Sequence, residues 1–190
     1  VASILLPLRL RYPVGIIYTF AREADDFADE GDLDDATRLA LLESFRAELK
    51  RIAAREQPES ELFRQLAEII AQYHLPVQLF HDLLDAFSQD VSKKRYAHFG
   101  EVMDYCRRSA NPVGRLLLHL YGATDSRNLA YSDAICSSLQ LINFLQDVAI
   151  DYRKDRIYLP QDEMEKHRIS EDQIARGDSG GAWGMFMLFQ

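Results

Sequence analysis

The sequence has few cysteines, and they are not arranged to hold a metal or to form disulfides. Cys106 and Cys136 are the two cysteines among 190 residues, with no CxxC motif and no close pairing with histidine. A structural zinc site or a disulfide framework is therefore not expected. We interpret both residues as free, buried thiols of a protein in a reducing compartment.

Long apolar runs and an excess of positive charge are also absent. No apolar stretch approaches the roughly 20 residues that a membrane-spanning helix needs. The opening VASILLPLRL has no basic leader, so we do not expect it to be a signal peptide. Acidic residues outnumber basic ones by 30 to 22, which gives a net charge of −8. Nucleic-acid-binding proteins usually carry a basic face, so we expect no nucleic-acid partner.

Helical periodicity, in contrast, runs along nearly the whole sequence. We predict that Pro13 begins the first helix, that Gly31 ends it, and that Asp32 or Asp34 caps the second. Further helices are predicted at about 37–56, 61–73, 77–89, 101–108, 113–122, 126–151, 161–167 and 170–176, with an extended segment near 153–160 and no convincing strand. The prediction is an all-α fold in which residues 1–190 form a single domain, truncated at both ends.

An acidic segment, AREADDFADEGDLDD, follows the apolar run GIIYTF. Like charges one turn apart weaken a helix by roughly a few tenths of a kcal/mol per pair, so this crowding needs a physical reason. At about 100° per residue, four side chains form one polar stripe: Tyr18, Arg22, Asp25 and Asp29. The opposite stripe is apolar and consists of Ile16, Phe20, Ala24 and Phe27. Asp26 lies at the edge of the polar stripe, while Glu23 and Glu30 lie outside it and are expected to face solvent.

A second polar stripe lies on the longest predicted helix. Its members fall within about 80° of one another on the helical wheel, and they are Gln140, Asn143, Asp147 and Asp151. Their neighbours are mostly apolar, so we expect this helix to be buried on several sides. Buried amides and carboxylates need partners, which makes a polar stripe in such surroundings notable.

Two helices that each carry an aligned pair of carboxylates are suited to holding divalent cations. Mg²⁺ prefers one or two carboxylates, waters and phosphate oxygens. A diphosphate held by such ions becomes a good leaving group, because the metal neutralises the charge that develops as the C–O bond breaks. The predicted chemistry is ionisation of a diphosphate ester beside an apolar pocket.

Other interpretations of the same residues remain open. An Asp pair one turn apart is often a solvated face, and a buried Asn or Asp is often an interhelical hydrogen bond. An EF-hand is excluded for the first segment, since that loop needs glycine at its sixth position and glutamate at its twelfth. Counted from Asp25, these positions hold Glu30 and Ala36.

Three segments resemble the squalene/phytoene synthase family. YTFAREADDFADEGD and SLQLINFLQDVAIDYRKDRIYLP are similar to its two acidic signatures, and YCRRSANPVGRLLL is similar to the segment between them. The resemblance runs through nearly all of the chain in the expected order. It implies an isoprenoid-synthase helical bundle with a central cavity, Mg²⁺ as cofactor, and a prenyl diphosphate as substrate.

The resemblance also implies roles for the two stripes. Asp25, Asp29, Asp147 and Asp151 match the catalytic aspartates of the signatures and, together with Asn143, would hold Mg²⁺. Tyr18, Arg22 and Gln140 would meet the substrate or its diphosphate, and Asn143 would lie beside it. These eight residues are the ones that the helical wheel selects.

One position departs from the family pattern. Many members have an arginine just before the first aspartate of the second signature, where this chain has Gln146. The sequence looks most like the hopanoid-pathway branch of the family, the hydroxysqualene synthases, which act on presqualene diphosphate. The alternatives are synthesis of presqualene diphosphate, squalene or phytoene from farnesyl or geranylgeranyl diphosphate, a non-catalytic relative that acts as an assembly factor, and a plain helical bundle.

The resemblance also implies where such a protein works. We expect a cytoplasmic protein that touches the inner membrane face peripherally, because its product is very apolar, and that is coupled to neighbouring hopanoid-pathway enzymes. Relatives continue beyond both ends of this sequence, so we expect the 190-residue piece alone to be weakly active or inactive.

Overall fold

The structure is a computed structural model that describes residues 6–177, 180, 181 and 183. Within these residues the elements follow one another as α1 (Leu8–Asp29), α2 (Asp35–Ala53), α3 (Glu61–Tyr73), α4 (Val77–Ser92), β1 (Arg95–Tyr96), α5 (Phe99–Ser109), α6 (Asn111–Tyr121), α7 (Ser126–Gln146), α8 (Val148–Arg153), β2 (Ile157–Pro160), α9 (Gln161–Lys166) and α10 (Glu171–Arg176). The predicted all-α class is confirmed. In the described part of the chain, no helix is both long and apolar enough to cross a membrane.

The chain divides into two compact units. The first consists of residues 1–92 and 107–136, and the second of residues 93–106 and 137–190. Each unit has its own core, and each carries one of the two polar stripes.

Helix α1 begins earlier than the sequence predicts. It starts at Leu8, so that Pro13 lies inside the helix and not at its first position. Proline has no N–H, and the carbonyl four residues before it, that of Arg9, loses its helical donor. The hydroxyl of Tyr73 on α3 donates to this carbonyl over 3.4 Å. A tertiary contact therefore replaces the missing hydrogen bond, which a local pattern cannot reveal.

The end of α1 and the start of α2 agree with the prediction. Gly31 has a φ of +73°, in the left-handed region that suits glycine after a helix. Asp34 is the N-cap of α2, and its carboxylate accepts a hydrogen bond from the backbone N–H of Thr37 over 2.7 Å. The pKa of Asp34 is lowered by hydrogen bonding to the side chain of Thr37 and to its backbone N–H.

Aromatic rings form the centre of the first unit. The ring of Phe20 lies 5.6 Å from that of Phe45, 5.8 Å from that of Phe63 and 5.2 Å from that of Phe80. Phe20 is fully buried. Helices α1 to α4 thus meet at one residue of the apolar stripe of α1.

The predicted long helix 126–151 is divided at Asp147. Helix α7 ends at Gln146 and α8 starts at Val148, while Asp147 lies between them with φ −99° and ψ 9°. Its N–H still bonds to the carbonyl of Asn143 over 2.8 Å, and its own carbonyl accepts from Asp151 over 2.9 Å. The break is therefore local, and the spacing of the polar stripe is retained.

The expectation that this helix is buried on several sides is wrong. Phe144 and Ser137 are its buried residues. Exposed fractions near one half are found for large apolar residues along it, namely Tyr131, Ile135, Leu139, Ile142 and, in α8, Ile150. Composition identifies apolar side chains, but it does not tell how many neighbouring elements cover them.

The second unit contains a strand pair that the sequence does not predict. β1 pairs in parallel with β2, with Arg95 opposite Ile157 and Tyr96 opposite Pro160. The extended conformation near 153–160 is confirmed over Ile157–Pro160. A two-residue strand is too short to give an alternating pattern, which is why periodicity misses it.

Candidate functional site

The polar stripe of α1 lies opposite a buried face. Phe20 and Ala24 are fully buried, while Ile16 and Phe27 are half-buried against the same core. On the other side, 67% of Tyr18 is exposed and Arg22 is exposed as well. The wheel prediction for this helix is confirmed. The core fixes the rotation of α1 and thereby the direction of its carboxylates.

Arg22 bridges two aspartates of the first segment. One nitrogen of its guanidinium lies 3.3 Å from Asp25 and another lies 2.7 Å from Asp26. All three side chains are about half exposed. Sequence reasoning placed Asp26 at the edge of the stripe and passed over it, although the spacing of four residues from Arg22 is a recognised signal for an ion pair.

Asp29 ends α1, and the turn that follows it is bound by Arg38 of α2. Asp29 is half-buried, whereas Glu23 and Glu30 are exposed as predicted. The guanidinium of Arg38, from the first turn of α2, donates to the carbonyls of Phe27 and Gly31 over 3.0 and 2.7 Å. No local sequence pattern singles out Arg38.

The second polar stripe is also presented away from a core. Asn143 and Asp147 are exposed, and Gln140 and Asp151 are half-buried. Phe144, next to Asn143, is buried and its ring stacks on that of Tyr158 in β2, with centroids 4.0 Å apart. This stacking fixes the rotation of the last part of α7.

The turn after Asp151 is bound by Arg95, a residue that lies far from it in the sequence. The carbonyl of Asp151 accepts from the N–H groups of Lys154 and Arg156 over 3.0 and 2.9 Å. Asp155, in this turn, has a φ of +56°. Arg95 donates to the carbonyl of Asp155 over 2.7 Å, and it also grips Glu171 of α10 with two hydrogen bonds of 2.7 and 2.8 Å. The sequence shows Arg95 as part of a basic turn, but it does not reveal the pairing with Glu171, which is 76 residues further along the chain.

Comparison with known proteins decides what these segments belong to. The sequence profile of the family described as Squalene/phytoene synthase matches residues 1–188. The chain belongs to the squalene/phytoene synthase family. The resemblance noted in the two acidic segments is thereby confirmed over nearly the full length.

Curated relatives include several members of the family. The hydroxysqualene synthase of Zymomonas mobilis is 43% identical over 180 residues, which cover 93% of this chain and 59% of that protein. The 15-cis-phytoene synthase of Synechococcus elongatus is 31% identical over 200 residues, covering 99% of this chain and 64% of that protein. The chain therefore spans about six tenths of the length of these relatives.

A solved structure shows the same fold. The squalene synthase HpnC from Alicyclobacillus acidocaldarius superimposes with a TM-score of 0.89 at 34% identity, covering 99% of this chain and 70% of that one. The predicted isoprenoid-synthase helical fold is confirmed by this likeness.

The donor chemistry of the two segments fits a hard divalent cation. Each segment offers two carboxylates one turn apart, and the second segment adds the amide oxygen of Asn143. Mg²⁺ prefers oxygen donors of this kind. Within neither unit does the described part of the chain bring three Asp, Glu, His or Cys side chains together as a ready metal site. The two segments belong to different units, so the assignment of Asp25, Asp29, Asn143, Asp147 and Asp151 as metal ligands stays a prediction.

Proposed function

We propose that the protein of which this chain is part converts presqualene diphosphate to hydroxysqualene in the hopanoid pathway. The C–O bond to the diphosphate breaks, the diphosphate leaves, and water adds to the rearranged cation with loss of a proton. The observation that carries this choice is the 42–43% identity to two hydroxysqualene synthases, against 31% to bacterial phytoene synthases.

The first segment is proposed to bind the diphosphate end of the substrate. Asp25 and Asp29 would hold Mg²⁺, which when bound neutralises the charge that develops on the leaving diphosphate. Arg22 already has two carboxylate partners, so an arriving diphosphate competes with Asp25 and Asp26 for its guanidinium. Tyr18, which is exposed on the same stripe, is proposed to meet the substrate.

The second segment is proposed to complete the ligand set. Asp147 and Asp151 would hold Mg²⁺ together with Asn143, and Gln140 would contact the substrate. The break at Asp147 takes this carboxylate out of regular helix while its N–H stays bonded to Asn143. The Phe144–Tyr158 stack keeps the segment in place, so that binding energy is not used to order it.

Gln146 is proposed to admit water to the reaction. It is exposed and lines a cavity of about 180 Å³ together with Gln173 and Ile174. A neutral amide in place of the arginine of other members leaves the diphosphate with one cation fewer and offers hydrogen bonds to water. The expected effect of Gln146→Arg is a lower ratio of hydroxysqualene to dehydrated or hydrocarbon products.

The test of the site compares matched variants. Calorimetric titration measures binding of inorganic diphosphate with and without Mg²⁺ by the whole natural protein, by Asp25→Asn and Asp147→Asn, and by Glu23→Gln as an exposed control on the same helix. We expect Mg²⁺-dependent binding that both aspartate variants lose and the control keeps. Binding that is equal in all four proteins would contradict the proposed roles.

A second candidate is head-to-head synthesis from farnesyl or geranylgeranyl diphosphate, which the likeness to the squalene synthase HpnC and to a 15-cis-phytoene synthase favours. Offering each diphosphate separately distinguishes the two candidates. A non-catalytic assembly role predicts no turnover of any of them.

Two further proposals concern the cellular setting. The apolar product is proposed to bring the protein to the inner membrane face and next to the following hopanoid-pathway enzymes. Residues 1–190 alone are proposed to turn over weakly, and the ratio of their activity to that of the whole natural protein measures this directly.

A further inference from the structure

The end of α1 goes against the electrostatic preference of helices. Carboxylates are favoured at helix N-termini and cations at C-termini, because of the partial charges at the two ends. The last two turns of α1 instead carry Asp25, Asp26 and Asp29, and its last turn has no basic residue. Helix α2 starts favourably, with Asp34 as its N-cap and Asp35 in its first turn, and Arg38 follows as its fourth residue. The end of α1 alone is destabilised by its charges, so a cation from outside that helix is needed to offset them.

Arg38 supplies the cation that the end of α1 lacks. Its guanidinium donates to four carbonyls of the turn, those of Phe27, Glu30, Gly31 and Leu33, over 3.0, 3.1, 2.7 and 3.1 Å. The final carbonyls of a helix have no donor within the helix and need one from elsewhere. The fork of N–H groups in arginine can reach several spread-out carbonyls at once, whereas the three donors of a lysine ammonium all lie on one nitrogen.

The start of α2 holds Arg38 in this position. Asp34 caps the helix through the N–H of Thr37, and the N–H of Arg38 bonds to the carbonyl of Asp34 over 3.0 Å. Arg38 is half-buried. On the other side of the junction, the ring of Phe27 packs edge-on against that of Phe45 of α2, with centroids 5.0 Å apart. The turn is therefore tied to α2 by polar contacts at its backbone and by an aromatic contact beside Asp26.

We propose that Arg38 is a positioning residue for the first acidic segment: by binding backbone carbonyls on both sides of Asp29, it keeps Asp29 in line with Asp25 for binding of a cation and a diphosphate. The inference rests on the proposed function of that segment. Arg38 acts through the backbone of α1 and does not itself touch the substrate. Partners of this kind behind metal ligands typically change metal affinity or activity by about 10- to 100-fold when they are removed.

The chain offers a matched control. Arg64 occupies the same position in α3 as Arg38 does in α2, four residues after the N-cap Ser60, and it also donates to a carbonyl of the preceding turn, that of Glu59. It lies at the junction of α2 and α3, which carries no residue of the proposed site. The other guanidinium nitrogens of Arg64 donate to the carboxylate of Glu61. Arg64→Gln therefore removes an arginine at the same helix position without affecting the end of α1.

The experiment measures Mg²⁺-dependent binding of inorganic diphosphate, together with the melting temperature, for the whole natural protein and the variants Arg38→Gln, Arg38→Lys and Arg64→Gln. We expect about tenfold weaker binding in Arg38→Gln, incomplete recovery in Arg38→Lys, and unchanged binding in Arg64→Gln despite a lower melting temperature. Arg38→Lys keeps the charge and some of the hydrogen bonding, so it provides a folded variant if Arg38→Gln does not fold.

Two results would overturn the inference. One is equal diphosphate binding in the two glutamine variants, which would reduce Arg38 to a stabilising residue. The other is full recovery by lysine, which would show that charge alone matters. Since inorganic diphosphate is the probe, failure of the whole protein to act on presqualene diphosphate would overturn the proposed reaction while this test still gives its answer.

Discussion

The rings of Phe144 and Tyr158 are stacked with their centroids 4.0 Å apart and their planes inclined by 9°. Tyr105 lies beside both, at 5.9 Å from Phe144 and 5.3 Å from Tyr158. The contact joins the last turns of α7 to strand β2. Asn143 and Asp147, which lie close to Phe144 in the sequence, are exposed. The second acidic segment therefore depends on an aromatic contact that is made 14 residues further along the chain.

Loss of this contact is expected to destabilise the second unit. Phe144→Ala removes a side chain that is 6% exposed, and such truncations lower the free energy of unfolding by about 3–5 kcal/mol. Ile142→Ala, at a position on the same helix that is 49% exposed, is the control and should change it by less than about 0.5 kcal/mol. Urea denaturation of both variants checks this, and equal losses would contradict the role given to the stack.

The crossing of α6 and α7 is expected to require glycine at position 114. A Cβ on Gly114 would lie 2.5 Å from Sγ of Cys136 and even closer to Oγ of Ser132. Gly114→Ala should therefore lower the free energy of unfolding by about 1–3 kcal/mol. Gly15→Ala in α1, where no atom lies within 4 Å of the new methyl, should raise it by about 0.5–1 kcal/mol. Thermal denaturation of the two variants gives the comparison, and a stabilised Gly114→Ala protein would show that the side chains of Ser132 and Cys136 rotate away from the new methyl.

Arg95 and Glu171 are expected to make stability depend on pH in the acid range. Hydrogen bonds from the Arg95 guanidinium lower the pKa of Glu171 from its ordinary value of 4.5. A carboxylate with a lowered pKa stabilises the fold above its unfolded pKa, and this contribution is lost as the pH falls through the folded pKa. Because the two side chains are 29% and 42% exposed, the contribution should stay below about 1 kcal/mol.

The measurement for this pair is the free energy of unfolding between neutral pH and the range below 4.5, for the parent and for Glu171→Gln. The parent should lose stability more steeply on acidification than the variant. Parallel curves would mean that the ion pair adds nothing measurable.

The two carboxylate partners of Arg22 are expected to differ in function. Asp26→Asn removes the closer partner, at 2.7 Å, and with it a carboxylate that competes with the diphosphate for Arg22, so we expect a moderate fall in KM and little change in kcat. Asp25→Asn removes a proposed metal ligand and should lower kcat by at least about 100-fold. Steady-state kinetics at several Mg²⁺ concentrations separates the two effects. Equal losses of kcat would mean that Asp26 belongs to the metal site as well.

Much of the fold follows from local sequence signals, and the exceptions have physical reasons. Gly31, Asp34 and the helix at Glu61–Tyr73 agree with the prediction because caps and periodicity act over a few residues. The predicted start of α1 at Pro13 is wrong, because the hydrogen bond that Pro13 removes from the helix is replaced by one from Tyr73, 60 residues away. The short strand pair likewise depends on a contact between segments that are distant in the sequence.

The candidate site likewise has features that follow from local sequence and features that depend on distant contacts. A helical wheel is sufficient to separate the polar stripe of α1 from its buried face, because that separation depends only on helix geometry. Arg38 and Arg95 could not be found in this way. Each acts on backbone carbonyls of another element, and carbonyls leave no trace in the side-chain pattern.

The most direct test of the account is the product formed from presqualene diphosphate. The whole natural protein would be incubated with this substrate and Mg²⁺ in the absence of a nicotinamide cofactor, and the product identified by mass spectrometry. We predict hydroxysqualene, lost in Asp25→Asn and in Asp147→Asn and retained in Glu23→Gln. No turnover of presqualene diphosphate, or turnover that survives both aspartate substitutions, would contradict the account.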